Sequence, residues 1–253
     1  MGGSEQVLNV SAGIIVTAVL VFFILVFIPA PYGRHARSGW GPTLPNRLGW
    51  ILMEAPASLV FFGVYLAGPH RASLTPLLLL ALWQIHYVHR SFIYPWSLKT
   101  QGKRSPWLTV AMAVIFNSIN AYVNARWISA IGDYPATWVT TPAFLIGASV
   151  FVIGFVINKQ ADAILRGLRK DPNDGGYTIP HGGLYRFVSC PNYLGELLEW
   201  TGWAIATSCL PGLAFAIFTA GNLVPRARAH HAWYREQFDD YPPQRRALIP
   251  FVW

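Results

Sequence analysis

Apolar runs of bilayer length constrain this chain more than any other feature, because several of them carry ionisable side chains. A spanning α-helix needs about 20 consecutive apolar residues. Lipid offers no partner to a backbone N–H or C=O, so only helices and closed barrels cross it. Seven runs read as spans: Val7–Ile28, Leu48–Ala67, Leu74–Tyr94, Trp107–Ala130, Trp138–Asn158, Tyr193–Cys209 and Gly212–Val224. The fifth and seventh are expected to continue as helix past the membrane, and Pro211-Gly212 is expected to part the last two. Glu54 lies in the middle of the second run, His86, Tyr87, His89 and Arg90 lie in the third, and Glu196 and Glu199 open the sixth. A charge at bilayer depth costs on the order of 3 kcal/mol on insertion scales, so groups kept there face a protein interior or a water-filled cavity. The expected fold is all-α and polytopic, one membrane-embedded domain over residues 1–253. The expected function class is an embedded enzyme.

Only 12% of the 253 residues are charged, against roughly 25% in soluble domains. The first run is long, with Glu5 as the only charge before it, unlike a cleaved signal with its basic leader and short apolar stretch. The basic residues fall on alternate loops: Arg34, Arg37 and Arg47; Lys99, Lys103 and Arg104; Lys159, Arg166, Arg169, Lys170 and Arg186; and the tail with Arg226, Arg228, Arg235, Arg245 and Arg246. Positive-inside logic places these loops and the C-terminus in the cytosol and the N-terminus outside. The host would be the inner membrane of a bacterium or the endoplasmic reticulum of a eukaryote. A net charge of +8 is then explained by basic loops beside anionic membrane lipid, and no nucleic-acid partner is implied. Cys190 and Cys209 form no motif.

Four helices each show a polar stripe near the cytosolic end. Tyr87, Arg90 and Tyr94 share one face; so do Asn158, Asp162, Arg166 and Arg169; so do Asn192, Glu196, Glu199 and Trp203; and His230 and Tyr234 are one turn apart. Residues three or four apart stack on one helix surface. Such stripes avoid lipid and are expected to converge, either as interhelical hydrogen bonding or around a polar ligand that satisfies them. Between the fifth and sixth runs, Asp171–Gly176 and Pro180–Gly183 are turn-rich. They lead to Pro191 at the expected first turn of a helix, where a phosphate would find free N–H groups and a positive dipole end. There is no Gly-x-Gly-x-x-Gly after a strand and no βαβ unit, so a dinucleotide would not meet a Rossmann fold. His86-x-x-His89 and His230-His231 make no complete histidine box, and no metal is expected.

These elements resemble the steroid 5α-reductase family. Trp50-Ile-Leu-Met-Glu54 is similar to its W-x-x-x-E element, and His86-Tyr-Val-His-Arg-Ser-Phe-Ile-Tyr94 to its H-Y-x-H-R-(T/S)-F-x-Y signature. Asn158 to Trp200 and the tail from Ala229 to Phe251 resemble its remaining ordered motifs. The match runs from about residue 48 to the end and is densest in the last hundred residues; the first span matches only as an apolar helix. The resemblance implies a seven-span reductase that takes NADPH from the cytosol and reduces the Δ4 double bond of a 3-oxo steroid, or a sterol-like enone, drawn from the bilayer. It implies that Glu54 and Tyr87 hold the 3-keto oxygen. It implies a cofactor site of Asn158, Asp162, Arg169, Tyr177, Asn192, Glu196, His230 and Tyr234, joined by Trp50, Arg90, Tyr94 and Arg226. Two other classes remain open. Ser189–Glu196 partly resembles an element of S-adenosylmethionine-dependent methyltransferases of the isoprenylcysteine type, and midplane charges also suit a transporter, although no paired repeats are visible.

Overall fold

The computed structural model describes residues 2–28, 41–98, 102–168 and 177–253. Eight α-helices dominate them: α1 Gly3–Phe27, α2 Asn46–Leu66, α3 Leu74–Val88, α4 Tyr94–Ser97, α5 Trp107–Arg126, α6 Pro142–Leu168, α7 Pro191–Thr207 and α8 Leu210–Gln237. Four helical segments are long and apolar enough to cross a membrane: Gly3–Phe27, Asn46–Leu66, Trp107–Ile131 and Pro142–Leu168. Leucine, isoleucine, valine and phenylalanine face outward along them, as at Leu59, Phe62, Ile115, Ile146 and Ile153. That is the inverse of a soluble surface, so the protein is all-α and membrane-embedded.

As expected, α6 runs on past Asn158 to Leu168 and α8 past Val224 to Gln237. The expected break at Pro211-Gly212 needs correction. The chain turns at Ser208, whose backbone is left-handed (φ 45), and Pro211 lies in the first turn of α8, where its missing N–H costs nothing. The only sheet among the described residues is a three-residue antiparallel pair, β1 Thr43–Pro45 with β2 Arg104–Pro106. It ties the loop before α2 to the loop before α5, helped by Arg104 Nε donating to Thr43 Oγ1 at 2.7 Å.

Two packing devices set the bundle. α6 and α7 meet through glycines seven residues apart on each: Gly147 and Gly154 against Gly195 and Gly202. A Cβ on Gly154 would lie 2.5 Å from the Glu199 N and Gly195 O, and one on Gly195 would lie 2.5 Å from Asn158 N. The two backbones therefore touch, the close approach that small residues allow between membrane helices. The second device is an aromatic centre. Trp83 stacks on Phe61 with centroids 4.3 Å apart and meets Trp200, Trp203 and Phe215. The polar second half of α5 serves packing: Asn124 Oδ1 accepts from Trp203 Nε1 at 2.8 Å, and Asn117 Nδ2 donates to the Met53 carbonyl at 2.6 Å.

Candidate active site

Arg90 is the hub. The segment His89–Ile93 between α3 and α4 is a π-helical turn, a rare wide turn that recurs at functional sites. The Arg90 guanidinium reaches three carboxylates on three other helices. Its Nε lies 3.6 Å from Glu54 of α2, its Nη1 3.8 Å from Asp162 of α6 and its Nη2 3.8 Å from Glu196 of α7. Trp50 and Tyr94 flank it, with centroids 4.8 and 5.4 Å from the guanidinium carbon. Trp50 Nε1 donates to the Arg90 carbonyl at 3.1 Å. Lys159 and Arg166 of α6 lie near enough to act on the same carboxylates, so three cations face these three carboxylates.

Asn158 and Asn192 adjoin the hub. Asn158 Nδ2 donates to the Asn192 carbonyl at 2.9 Å, and Asn192 Nδ2 donates to Asp162 Oδ1 at 3.4 Å. The glycine contact of α6 with α7 holds these residues together, since Asn158 lies one turn past Gly154 and Glu196 directly follows Gly195. Tyr87, one turn before Arg90, stacks on Trp200 at 5.4 Å and meets Trp83 at 4.9 Å. It is buried in the aromatic centre.

The remaining candidates form two further groups. Arg226 Nη2 donates to Tyr193 Oη at 3.0 Å, and Tyr193 Oη lies 3.1 Å from His230 Nε2. Tyr234 stacks on Tyr241 with centroids 5.3 Å apart, and Tyr177 meets Trp233 at 4.9 Å. Arg169 lies outside the described residues.

Sequence reasoning left several inward-facing groups out of the candidate set. Lys159, counted there as a loop charge, lies 3.1 Å from His89 Nδ1 and over the Phe155 ring. Arg166 sits over the Tyr94 ring at 5.5 Å. His86 and Glu199 form a fully buried pair through Nδ1 and Oε2. Ser189 Oγ lies 2.6 Å from both His231 Nδ1 and Tyr241 Oη. Burial, then the charges of Arg235 and Arg246, hold the His231 imidazole below its ordinary value. Asp162 stands three residues from Lys159, a helical signal that pointed inward.

Several buried polar atoms here make no hydrogen bond to any described residue: Asn158 Oδ1, Asp162 Oδ2 and Arg166 Nη1, all on α6. Unfilled buried hydrogen-bonding capacity on one helix calls for a polar ligand. A donor set of amide, carboxylate and guanidinium beside tryptophan and tyrosine rings fits the carboxamide, ring and ribose of a nicotinamide nucleotide.

Residues 103–253 match the model of the family described as 3-oxo-5-alpha-steroid 4-dehydrogenase. The chain is 43% identical over 243 residues to a steroid 5-alpha-reductase of Gossypium hirsutum, covering 94% of each. It is 42% identical to the 3-oxo-5-alpha-steroid 4-dehydrogenase 1 of Rattus norvegicus, covering 89% of this chain and 87% of that one. To its counterpart in Homo sapiens it is 41% identical, covering 87% and 85%.

Proposed function

The chain belongs to the 3-oxo-5-alpha-steroid 4-dehydrogenase family, and from that premise we propose that it reduces the Δ4 double bond of a 3-oxo-Δ4 steroid with NADPH. The observation that carries this reading is the Arg90 hub. It gathers Glu54, Asp162, Glu196, Trp50 and Tyr94 from four helical elements into one half-buried polar site beside apolar walls.

NADPH, when bound, supplies a hydride to C5 of the enone. The site residues do the rest. Hydride addition at C5 drives electron density onto the 3-oxygen, and donors aimed at that oxygen stabilise the enolate. Glu54, carrying a proton, and the Tyr87 phenol are those donors; a neutral carboxylic acid serves this role in ketosteroid isomerase. Arg90 orients Glu54 through the contact of its Nε with Oε1. Trp200 and Trp83 hold the Tyr87 ring in one orientation and exclude water from around it. C4 is then protonated. Asn158, Asp162, Asn192, Glu196, Arg226, His230 and Tyr234, with Arg169 and Tyr177, hold the nucleotide at the cytosolic ends of the helices. The steroid enters from the bilayer. The whole chain acts as one domain of seven spans, with its N-terminus outside and its C-terminus cytosolic.

Titration of the purified protein with NADPH and, separately, with S-adenosylmethionine tests the reading. NADPH is expected to bind and to be consumed only when a 3-oxo-Δ4 steroid is added. Binding of S-adenosylmethionine without NADPH would overturn it.

A further inference from the structure

A second polar site lies away from the Arg90 hub. It is a cleft of about 550 Å³ lined by His181, Gly182, Gly183, Arg186, Phe187, Pro242, Gln244 and Arg245. Gly183 locates it: a Cβ there would sit 3.1 Å from Gln160 Oε1, and one on Gly182 would sit 3.9 Å from Ile164. Gln160 is two residues from both Asn158 and Asp162. At about 100° per residue it points roughly 200° away from them around α6. The cleft therefore backs onto the opposite face of α6 from the hub.

Arg245 is its distinctive feature. It is 3% exposed, and among the described residues its buried Nε and Nη1 make no hydrogen bond and it forms no ion pair. Among the described residues its one side-chain hydrogen bond is with His181, whose Nδ1 lies 3.4 Å from Nη2, and its guanidinium carbon lies 5.3 Å from the Tyr241 ring. Burying a cation without an anion is costly, and the fold nevertheless positions this one in the wall of an open cleft. Arg186 stands exposed in the same wall, over the Phe187 ring. Gly182 and Gly183 have left-handed backbones (φ 92 and 49), which lets the main chain itself form the wall where a side chain would be strained.

Two arginines, one of them with two buried free N–H positions, match the forked geometry that recognises a phosphate-type oxyanion. The surroundings say where such an anion would sit. Phe187 packs on Phe251 at 5.2 Å, and Phe251, Val252 and Ile249 are exposed beside it. Exposed apolar and aromatic side chains next to basic ones are the signature of a membrane–water interface.

We infer that the Arg245 cleft binds a phosphate-type oxyanion at the membrane surface, apart from the catalytic site. A phospholipid headgroup and free phosphate share that chemistry, and two arms separate them. In the first, inorganic phosphate is titrated against chloride at equal ionic strength, with the full-length protein in neutral detergent and unfolding temperature as readout. In the second, unfolding is compared in phosphatidylcholine nanodiscs with and without phosphatidylglycerol. Stabilisation of the wild type in either arm is expected. Arg186→Gln, an exposed position, should weaken the response about two- to fivefold, as an exposed charge does, and Arg245→Met should remove it. Should Arg245→Met fail to fold, Arg186→Gln combined with His181→Ala carries the test. NADPH affinity should be unchanged by Arg186→Gln. The inference is overturned if neither arm stabilises the wild type more than the Arg186→Gln variant, or if phosphate stabilises only by competing with NADPH. Either result leaves the reductase reading standing.

Discussion

Glu54→Gln and Tyr87→Phe each remove a proton donor with little change of shape. Loss of one donor to a developing oxyanion costs about 2.7–4 kcal/mol, so each variant should lose about 10²–10³ in turnover while retaining NADPH binding. Single-turnover rates beside NADPH titrations check this, and near wild-type rates in both would remove the pair from the mechanism. Arg90→Met leaves Glu54, Asp162 and Glu196 without their shared cation. Breaking a buried pair from one side costs about 3–5 kcal/mol, so this variant should unfold at markedly lower temperature, as scanning fluorimetry reads. At the other cluster, the folded His231 binds a proton less readily than its ordinary 6.5. Protonation therefore favours the unfolded chain. The stability His231 contributes is full above about pH 7 and falls as pH drops below 6.5. Unfolding temperatures from pH 7.5 to 5 should show that loss, and His231→Gln should lessen it. The residues that meet at the hub were legible because helical spacing groups them and charge in an apolar run demands a partner. Lys159 reads as a loop charge, and His86 and Glu199 stand out as ionisable groups in apolar runs but not as partners, since nothing in a single sequence says which helix a polar side chain will face.

α6 and α7 carry the hub's geometry, and their glycines decide it. Gly154→Val and Gly195→Val would force the two backbones apart, because the space a Cβ needs is filled by main-chain atoms. Overpacking of this kind typically costs about 1–3 kcal/mol, and it displaces Asn158 and Asp162 from Asn192 and Glu196. Gly63, which a Cβ would leave clear of any neighbour, is the control. Gly63→Ala should keep cofactor affinity, while Gly154→Val should lose it together with stability. The seven-residue spacing of the glycines was in the sequence, yet glycine reads first as a turn or a flaw in a helix, and only a facing glycine on the other helix gives it meaning. The π-helical turn at His89–Ile93 was not legible, because the α-period already placed Tyr87, Arg90 and Tyr94 on one face. The end of α7 was misread for a related reason. Proline signals a break, yet at Pro211 it opens α8, and the turn falls on Ser208.

For the molecule as a whole, apolar runs announced an all-α membrane protein, and four helices meet the length and apolarity of spans without further argument. The proposed orientation predicts that a cysteine at Ser4→Cys is labelled from outside in sealed cells and one at Asp239→Cys only after permeabilisation; both positions are exposed. The reverse pattern would invert the topology. The central claim is hydride transfer to an enone held at the Glu54–Arg90 hub. Its most direct measurement uses NADPH deuterated at the transferable C4 position and a 3-oxo-Δ4 steroid, with the product analysed by mass spectrometry and NMR. The account predicts a 5α-reduced product carrying one deuterium at C5. Deuterium at another carbon, or no reduction of any 3-oxo-Δ4 steroid by a folded, NADPH-binding protein, would contradict it.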